Sequence, residues 1–439
     1  MESVSEIRKY LESDYPEYLR LLKQLIAINT VYDNPRGIED ALRFCKDYFS
    51  TYLKNYRTYF DAAGNLICSP KKVDVTKNVL YFCAHIDTVP ADGADWIPPF
   101  APFAPFEDER EIVGRGASDC KAGVAYQLFL AKLIFEHFPK TSNIVFTISA
   151  REESGGMSAT EIGSQIGNKL PSGPKTYLIN LEYTTSVDPP ATEVNYGERG
   201  SVAIEIIATL DIVRDFLLQD DNQWNPTVIQ AIETLGSVKH EELTQQGGHA
   251  ATTVRQNNIL YRLLTEADPA QYVLEAGSER LVSAVPALIR KARAERPITH
   301  KVLFDLRTFK KMNELVEELK KYSFQYRVIK SLDFGYSVEK KLRADPIYSI
   351  MNEASASGIK VVFEPSQGTT DSGRIFAHCA DTIRDSFLPL TVGPGSRSQR
   401  KRRPARLAHG VNETYDKKAG LKTIIFISEV AFRMGLLRV

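Results

Sequence analysis

Acids and histidines in this sequence stand where apolar runs end. His85 and Asp87 follow the run Asn78 to Ala84 (NVLYFCA). Spacing by two on an extended chain points both side chains the same way. Asp87 is then placed to fix the tautomer of His85 for a metal; a strand-end Asp making a turn is the plainer alternative. Asp119 lies in Gly114 to Gly123 (GRGASDCKAG), where flanking glycines let the backbone bend tightly and present a carboxylate. Its alternative role is to cap the helix that follows. Glu152 and Glu153 come directly after Asn143 to Ala150 (NIVFTISA) and Arg151. Adjacent acids at the end of an apolar strand are costly near a core unless a cation compensates them. One acid could bind a metal while its neighbour works as general base, or both could sit in the first turn of a helix, favoured by its dipole. Glu182 follows Lys175 to Leu181 (KTYLINL), and His409 stands in the glycine-bounded segment Ala408 to Glu413 (AHGVNE). As a set, two histidines with several carboxylates are the donors that a pair of zinc ions needs.

The elements that must position these residues are legible as periodicity. Residues 4 to 30 and 38 to 54 read as amphipathic helices, with Leu19, Leu22 and Ile26 at helical spacing. NVLYFCA, NIVFTISA and KTYLINL read as strands buried on both faces, and Gly123 to Phe135 as a buried helix. Strands alternating with helices predict an α/β domain with a mixed, largely parallel sheet. Ser201 to Thr209 and Thr299 to Arg307 alternate like strands with one exposed face, with helices expected near 211 to 218, 226 to 235 and 255 to 265. This predicts an inserted α+β domain with an antiparallel sheet, over residues 197–311, between catalytic segments 1–196 and 312–439. Helix, helix and strand are expected again at 313–322, 346–357 and 360–364, and a terminal helix at 421–437.

Composition narrows the classes. The 439 residues carry 55 basic and 55 acidic side chains and are 43% hydrophobic, as in an ordinary globular protein. At roughly 100 to 200 residues per domain, that length predicts two or three domains. A balanced charge argues against nucleic acid as a partner. No apolar stretch approaches the ~18 residues that span a bilayer, and the start lacks the n- and h-regions of a signal peptide. The 5 cysteines are too few and scattered for a disulfide framework or a CxxC metal site. A cytoplasmic protein is expected. GRGASDCKAG is not a Walker A loop, because the glycine spacing and terminal Lys-Ser/Thr are missing.

HIDTVP, GRGASDCKAG, REESGG, LEYT and AHGVNE, in this order and at these spacings, resemble the signatures of one metallohydrolase family. It includes acetylornithine deacetylase, succinyl-diaminopimelate desuccinylase, carboxypeptidase G and the aminoacylases. The resemblance covers nearly the whole chain and implies a zinc-peptidase-like catalytic domain with an inserted lid and dimerisation domain. It implies two Zn2+ ions, with Co2+ or Mn2+ as substitutes, bridged by Asp119. His85 and Glu182 would complete one site and Glu153 and His409 the other. Glu152 would be the general base, Asp87 the partner of His85, and the peptide after Asp119 cis. His249, in Gly247 to Ala251, resembles the family's lid histidine that steadies the oxyanion. Arg307 resembles its substrate-carboxylate arginine, and Thr370 and Asp371 stand in a segment like its substrate loop, with Phe376 following.

Three positions depart from the family pattern. Cys120 replaces the usual Met, Ser283 stands where many members have Asn, and Gly197 to Gly200 lies farther from His249 than the family expects. The basic run Arg397 to Arg406 is read as a solvated loop, or as a patch that draws acidic substrates. The expected function is hydrolysis of an amide bond in a small N-acyl amino acid or short peptide with a free carboxylate, with neither membrane nor nucleic acid as partner. The alternative is a binding or regulatory protein on the same fold, against which the intact Glu152 argues.

Overall fold

A computed structural model describes residues 4–169, 175–209, 227–230, 299–308, 313–397 and 409–438, apart from short interruptions within these ranges. The helices predicted near 211–218 and 255–265, His249, Ser283 and the run 398–406 lie outside the described residues. The chain divides into two compact units, one formed by 1–197, 337–366 and 370–439, the other by 198–336 with 367–369.

The first unit begins with α1 (Val4–Ala27) and α2 (Pro35–Tyr52), then β1 (Tyr56–Phe60), β2 (Leu66–Pro70) and β3 (Val79–His85). It continues with α3 (Lys121–His137), β4 (Ile144–Ser149), α4 (Met157–Lys169), β5 (Thr176–Asn180) and β6 (Pro190–Glu198). The 11-stranded sheet runs β1-β2-β4-β3-β5 and on to a late strand beside β6. β3 pairs parallel with both β4 and β5, while β2 meets β4 antiparallel. Every residue of β4 and β5 is buried, as expected of parallel strands covered on both faces. Cys83 and Val79 meet Ile162, Ile166 and Ile375 on one face, while Phe82 meets Tyr126 of α3 edge-on across the other. Burying a Phe such as Phe82 is worth ~1.5–3 kcal/mol. α3 is buried around nearly its whole circumference up to Ile134, Lys132 apart, which suits a helix enclosed by sheet and neighbouring helices.

The second unit has a 4-stranded antiparallel sheet of β7 (Gly200–Thr209), β8 (Thr227–Gln230), β9 (Thr299–Thr308) and β10 (Gln325–Leu332), in the order β8-β9-β7-β10. The helix expected over 226–235 is corrected at 227–230. There the β-branched pair Thr227-Val228 runs as a strand along β9, because tertiary pairing overrides helical periodicity. β10 continues this sheet, and the chain returns to the first unit at Ser337. Later elements of the first unit include α5 (Pro346–Ser355), β11 (Val361–Ser366), α6 (Asp371–His378), β12 (Phe387–Thr391) and α7 (Lys417–Arg433). β12 is the strand that joins β5, in parallel, to β6. No helix among the described residues is long and apolar enough to cross a membrane.

Candidate metal centre

β3, β4 and β5 all end at the same edge, and each end delivers a polar residue. His85 is the last residue of β3, Glu152 and Glu153 follow β4, and Glu182 follows β5. The loop bearing Asp119 reaches this edge because α3 packs tightly on β5: a Cβ at Gly123 would lie 2.2 Å from Leu181 O. A side chain there would push the helix, and Asp119 with it, away from Glu182.

The donors converge on Asp119, which is 4% exposed. One of its oxygens lies 2.8 Å from His85 Nε2 and the other 2.9 Å from His409 Nε2. Glu182 Oε2 lies 3.8 Å from His85 Nε2, and Glu153 Oε1 2.8 Å from His409 Nε2. The alternative roles weighed for these acids are not what the structure contains. The α3 cap is Cys120 rather than Asp119, and α4 starts only at Met157, beyond the acids. The Asp119–Cys120 peptide is cis.

Asp87 touches its neighbours in two ways. Its carbonyl lies 2.9 Å from His85 Nδ1, closer than its carboxylate at 3.4 Å. The carboxylate instead accepts the backbone N–H groups of Glu152 and Glu153, each at 3.0 Å. Asp87 therefore fixes the turn that carries both acids as well as the ring of His85. Cys120 donates to Leu181 O at 2.8 Å, with its sulfur beside His85 and Glu182.

Burial and close approach shift the ionisation of the whole cluster. Burial alone would lower the pKa of His85, yet facing Cys120, Glu182 and Asp119 holds it well above the usual value. His409 is likewise raised by Glu153 and Asp119 against its burial. Burial opposes ionisation of Asp119, but the two histidines outweigh it and depress its pKa. Burial and the surrounding acids push Glu152 well above the carboxylate range, with His85 opposing, and burial also raises Glu153. Lys121, buried on α3 with its ammonium donating to Ile28 O, is pushed down to about 7 by burial.

The residues fit a metal. With Nδ1 donating to the Asp87 carbonyl, loss of the second ring proton would turn the Nε2 lone pair toward Asp119, where a cation between them could take both as ligands. Glu153 Oε1 is buried 2.8 Å from His409 Nε2 and takes no hydrogen-bond donor. His85, Asp119 and Glu153 form one set of metal-compatible atoms, and His85, Cys120 and Glu182 another, each within 4.8 Å.

The family model described as peptidase family M20/M25/M40 matches residues 81–433. The chain belongs to this family. Among relatives of the M20 family chain, succinyl-diaminopimelate desuccinylase of Janthinobacterium sp. (strain Marseille) is 27% identical over 192 residues. That match covers 42% of this chain and 48% of the relative, so the chain spans about half the length of such relatives. A probable carboxypeptidase of Arthroderma gypseum is 31% identical over 163 residues, 32% of each chain. The fold is that of human carnosine dipeptidase 1, with a TM-score of 0.61 over 98% of this chain and 99% of the other at 13% identity. It is also that of the metallo-carboxypeptidase Sso-CP2 from Sulfolobus solfataricus, with a TM-score of 0.57 over 94% and 98% at 16% identity. M20 proteins depend on metal, typically zinc, and the donor clusters of this chain agree with that.

Of the other site residues, Thr370 caps α6 by accepting from Ser372 N, and receives Asn180 Nδ2 at 2.8 Å. Asp371 is wholly buried as the first residue of α6, and burial pushes its pKa up to about 6. Arg307 lies on β9 with its backbone paired to Ser201. The sequence reading gave no role to Glu413, Arg115 or Arg374. Glu413 and Arg115 stand inside the AHGVNE and GRGASDCKAG segments, and that placement beside the candidate ligands is the signal that could have singled them out. Arg374 is buried against Gly156, and its guanidinium is held down by burial despite facing Asp371 and Glu152.

Proposed function

We propose that this M20 family chain hydrolyses an amide bond in a small N-acyl amino acid or a short peptide with a free carboxylate. The observation that supports it is the Asp119 carboxylate with one histidine against each oxygen, and Glu152 facing His85, Glu153 and Glu182. His85, Asp119 and Glu182 would hold one divalent ion, and Asp119, Glu153 and His409 a second. Zinc suits these donors, and cobalt or manganese are substitutes. Bound there, the ions would supply Lewis acidity and make water easier to deprotonate.

The chain's own residues do the rest. Glu152 accepts a proton from the attacking water and returns it to the leaving amine. Burial and the neighbouring acids favour its protonated form in the metal-free cluster, and nearby bound cations would favour the carboxylate that a base needs. Asp87 keeps Glu152 and Glu153 in register by accepting both their backbone N–H groups. Following the family resemblance, His249 is assigned the oxyanion, Arg307 the substrate carboxylate, and Thr370 with Asp371 the substrate loop. The second unit is assigned the lid and a homodimer contact, and the protein the cytoplasm.

The test is metal content together with turnover on a panel of N-acyl amino acids and dipeptides. About two ions per chain and hydrolysis of at least one substrate class are expected. A chain that binds zinc but turns over nothing in the panel would favour the binding-protein alternative.

A further inference from the structure

The most heavily hydrogen-bonded carboxylate around the centre binds no candidate ion position. Glu413 is completely buried. One of its oxygens accepts Ser118 N at 2.8 Å and Asp119 N at 2.9 Å. The other accepts Arg115 Nη1 at 2.8 Å and Gly116 N at 3.1 Å. Its carbonyl takes Gly114 N, and Ser118 Oγ returns a bond to Thr414 O. The turn ending in Asp119 is thus wrapped around a single carboxylate, as a concavity of N–H groups wraps an anion.

The same carboxylate is tied to His409. His409 and Asn412 both hold left-handed backbone, with φ of 64° and 55°, which non-glycine residues keep only where their surroundings over-determine it. Arg115, 3% exposed, aims its second nitrogen at His409 O and Pro90 O, 3.4 Å from each. Pro90 ends the segment that begins with His85 and Asp87. One buried ion pair therefore joins the chain segments carrying His85, Asp119 and His409.

We propose that Glu413 is a positioning residue for the metal centre, holding the Asp119 carboxylate and the His409 ring against each other, with Arg115 extending that hold to the His85 segment. The proposal rests on the metal-centre reading above. It follows from geometry: a carboxylate accepts four donors here without a competing donor of its own. In Glu413→Gln the shape stays, but an amide N–H₂ must face N–H donors, so the turn shifts and Asp119 swings with it.

The experiment adds Co2+ to metal-free wild type and to Glu413→Gln, followed by equilibrium dialysis and the visible absorption spectrum, alongside steady-state kinetics. Expected is an affinity loss of about 10- to 100-fold for at least one ion and an altered Co2+ spectrum. With it, kcat should fall by about tenfold or more with KM nearly unchanged. Arg115→Lys, which keeps the charge but loses the fork, should show the same pattern more weakly, and it carries the test if Glu413→Gln does not fold. Unchanged Co2+ affinity and spectrum in the folded variant, with only thermal stability lost, would overturn the proposal. Wild type that binds no Co2+ would instead overturn the metal-centre reading, and this proposal with it.

Discussion

The two halves of the centre are built by opposite means. His85 and Glu182 stand on or next to the ends of neighbouring parallel strands, and the His85 ring is 1% exposed. His409 stands on a loop in left-handed backbone, its side chain 19% exposed, and Glu153 lies on a turn closed by Gly155 and Gly156, both at positive φ. One half is positioned by a sheet that packs for its own reasons. The other is held by long-range polar contacts. The strand half should keep its shape without metal, and the loop half should be the first to let go.

On the proposed reading Asp119 serves both ion positions, so Asp119→Ala breaks the comparison altogether: both ions and all turnover should be lost, as metal analysis would show. Glu152→Gln leaves both halves in place and should lower kcat by roughly 10²–10⁴ with metal content unchanged. Normal turnover in that variant would remove Glu152 from the mechanism. Chelator titration then separates the halves. Wild type should release its ions in two steps, His409→Ala should lack the easier one and His85→Ala the harder one.

Protons sharpen the contrast further. Both histidines are raised above the usual value in the metal-free cluster, so metal uptake near neutrality should release protons, visible as a buffer-dependent heat in calorimetry. A raised folded pKa stabilises below the unfolded value of roughly 6.5 and is lost as pH rises through the folded one. The melting temperature of metal-free protein should accordingly fall toward alkaline pH. The smallest effect expected is that of Gly156→Ala. Its φ of 64° and a Cβ 2.1 Å from Arg374 Nε should cost on the order of 1–3 kcal/mol, read by denaturant unfolding.

Much of this architecture could be read before any coordinates. Continuous apolar runs predict β3, β4, β5 and α3, because strands buried on both faces carry a dense local signal. The polar residues closing those runs are the ones that the sheet edge gathers. What escaped was non-local. Arg115 and Glu413 are 298 residues apart, and nothing in either segment announces the other. The contact of the Asp87 carboxylate with the Glu152 and Glu153 amides depends on how a turn closes across strands. Thr227 to Gln230 read as helix because the pairing that makes it a strand lies on β9.

The distance along the chain between Asp119 and Glu413, 294 residues, also bears on biosynthesis. While the ribosome is still making the second unit, β3, β4 and β5 have emerged and can pair, so His85, Asp119 and Glu182 can meet in a nascent chain. His409 and the carboxylate that braces its loop emerge only after the second unit has been made. This connectivity lets the strand-borne donors assemble before the loop-borne ones.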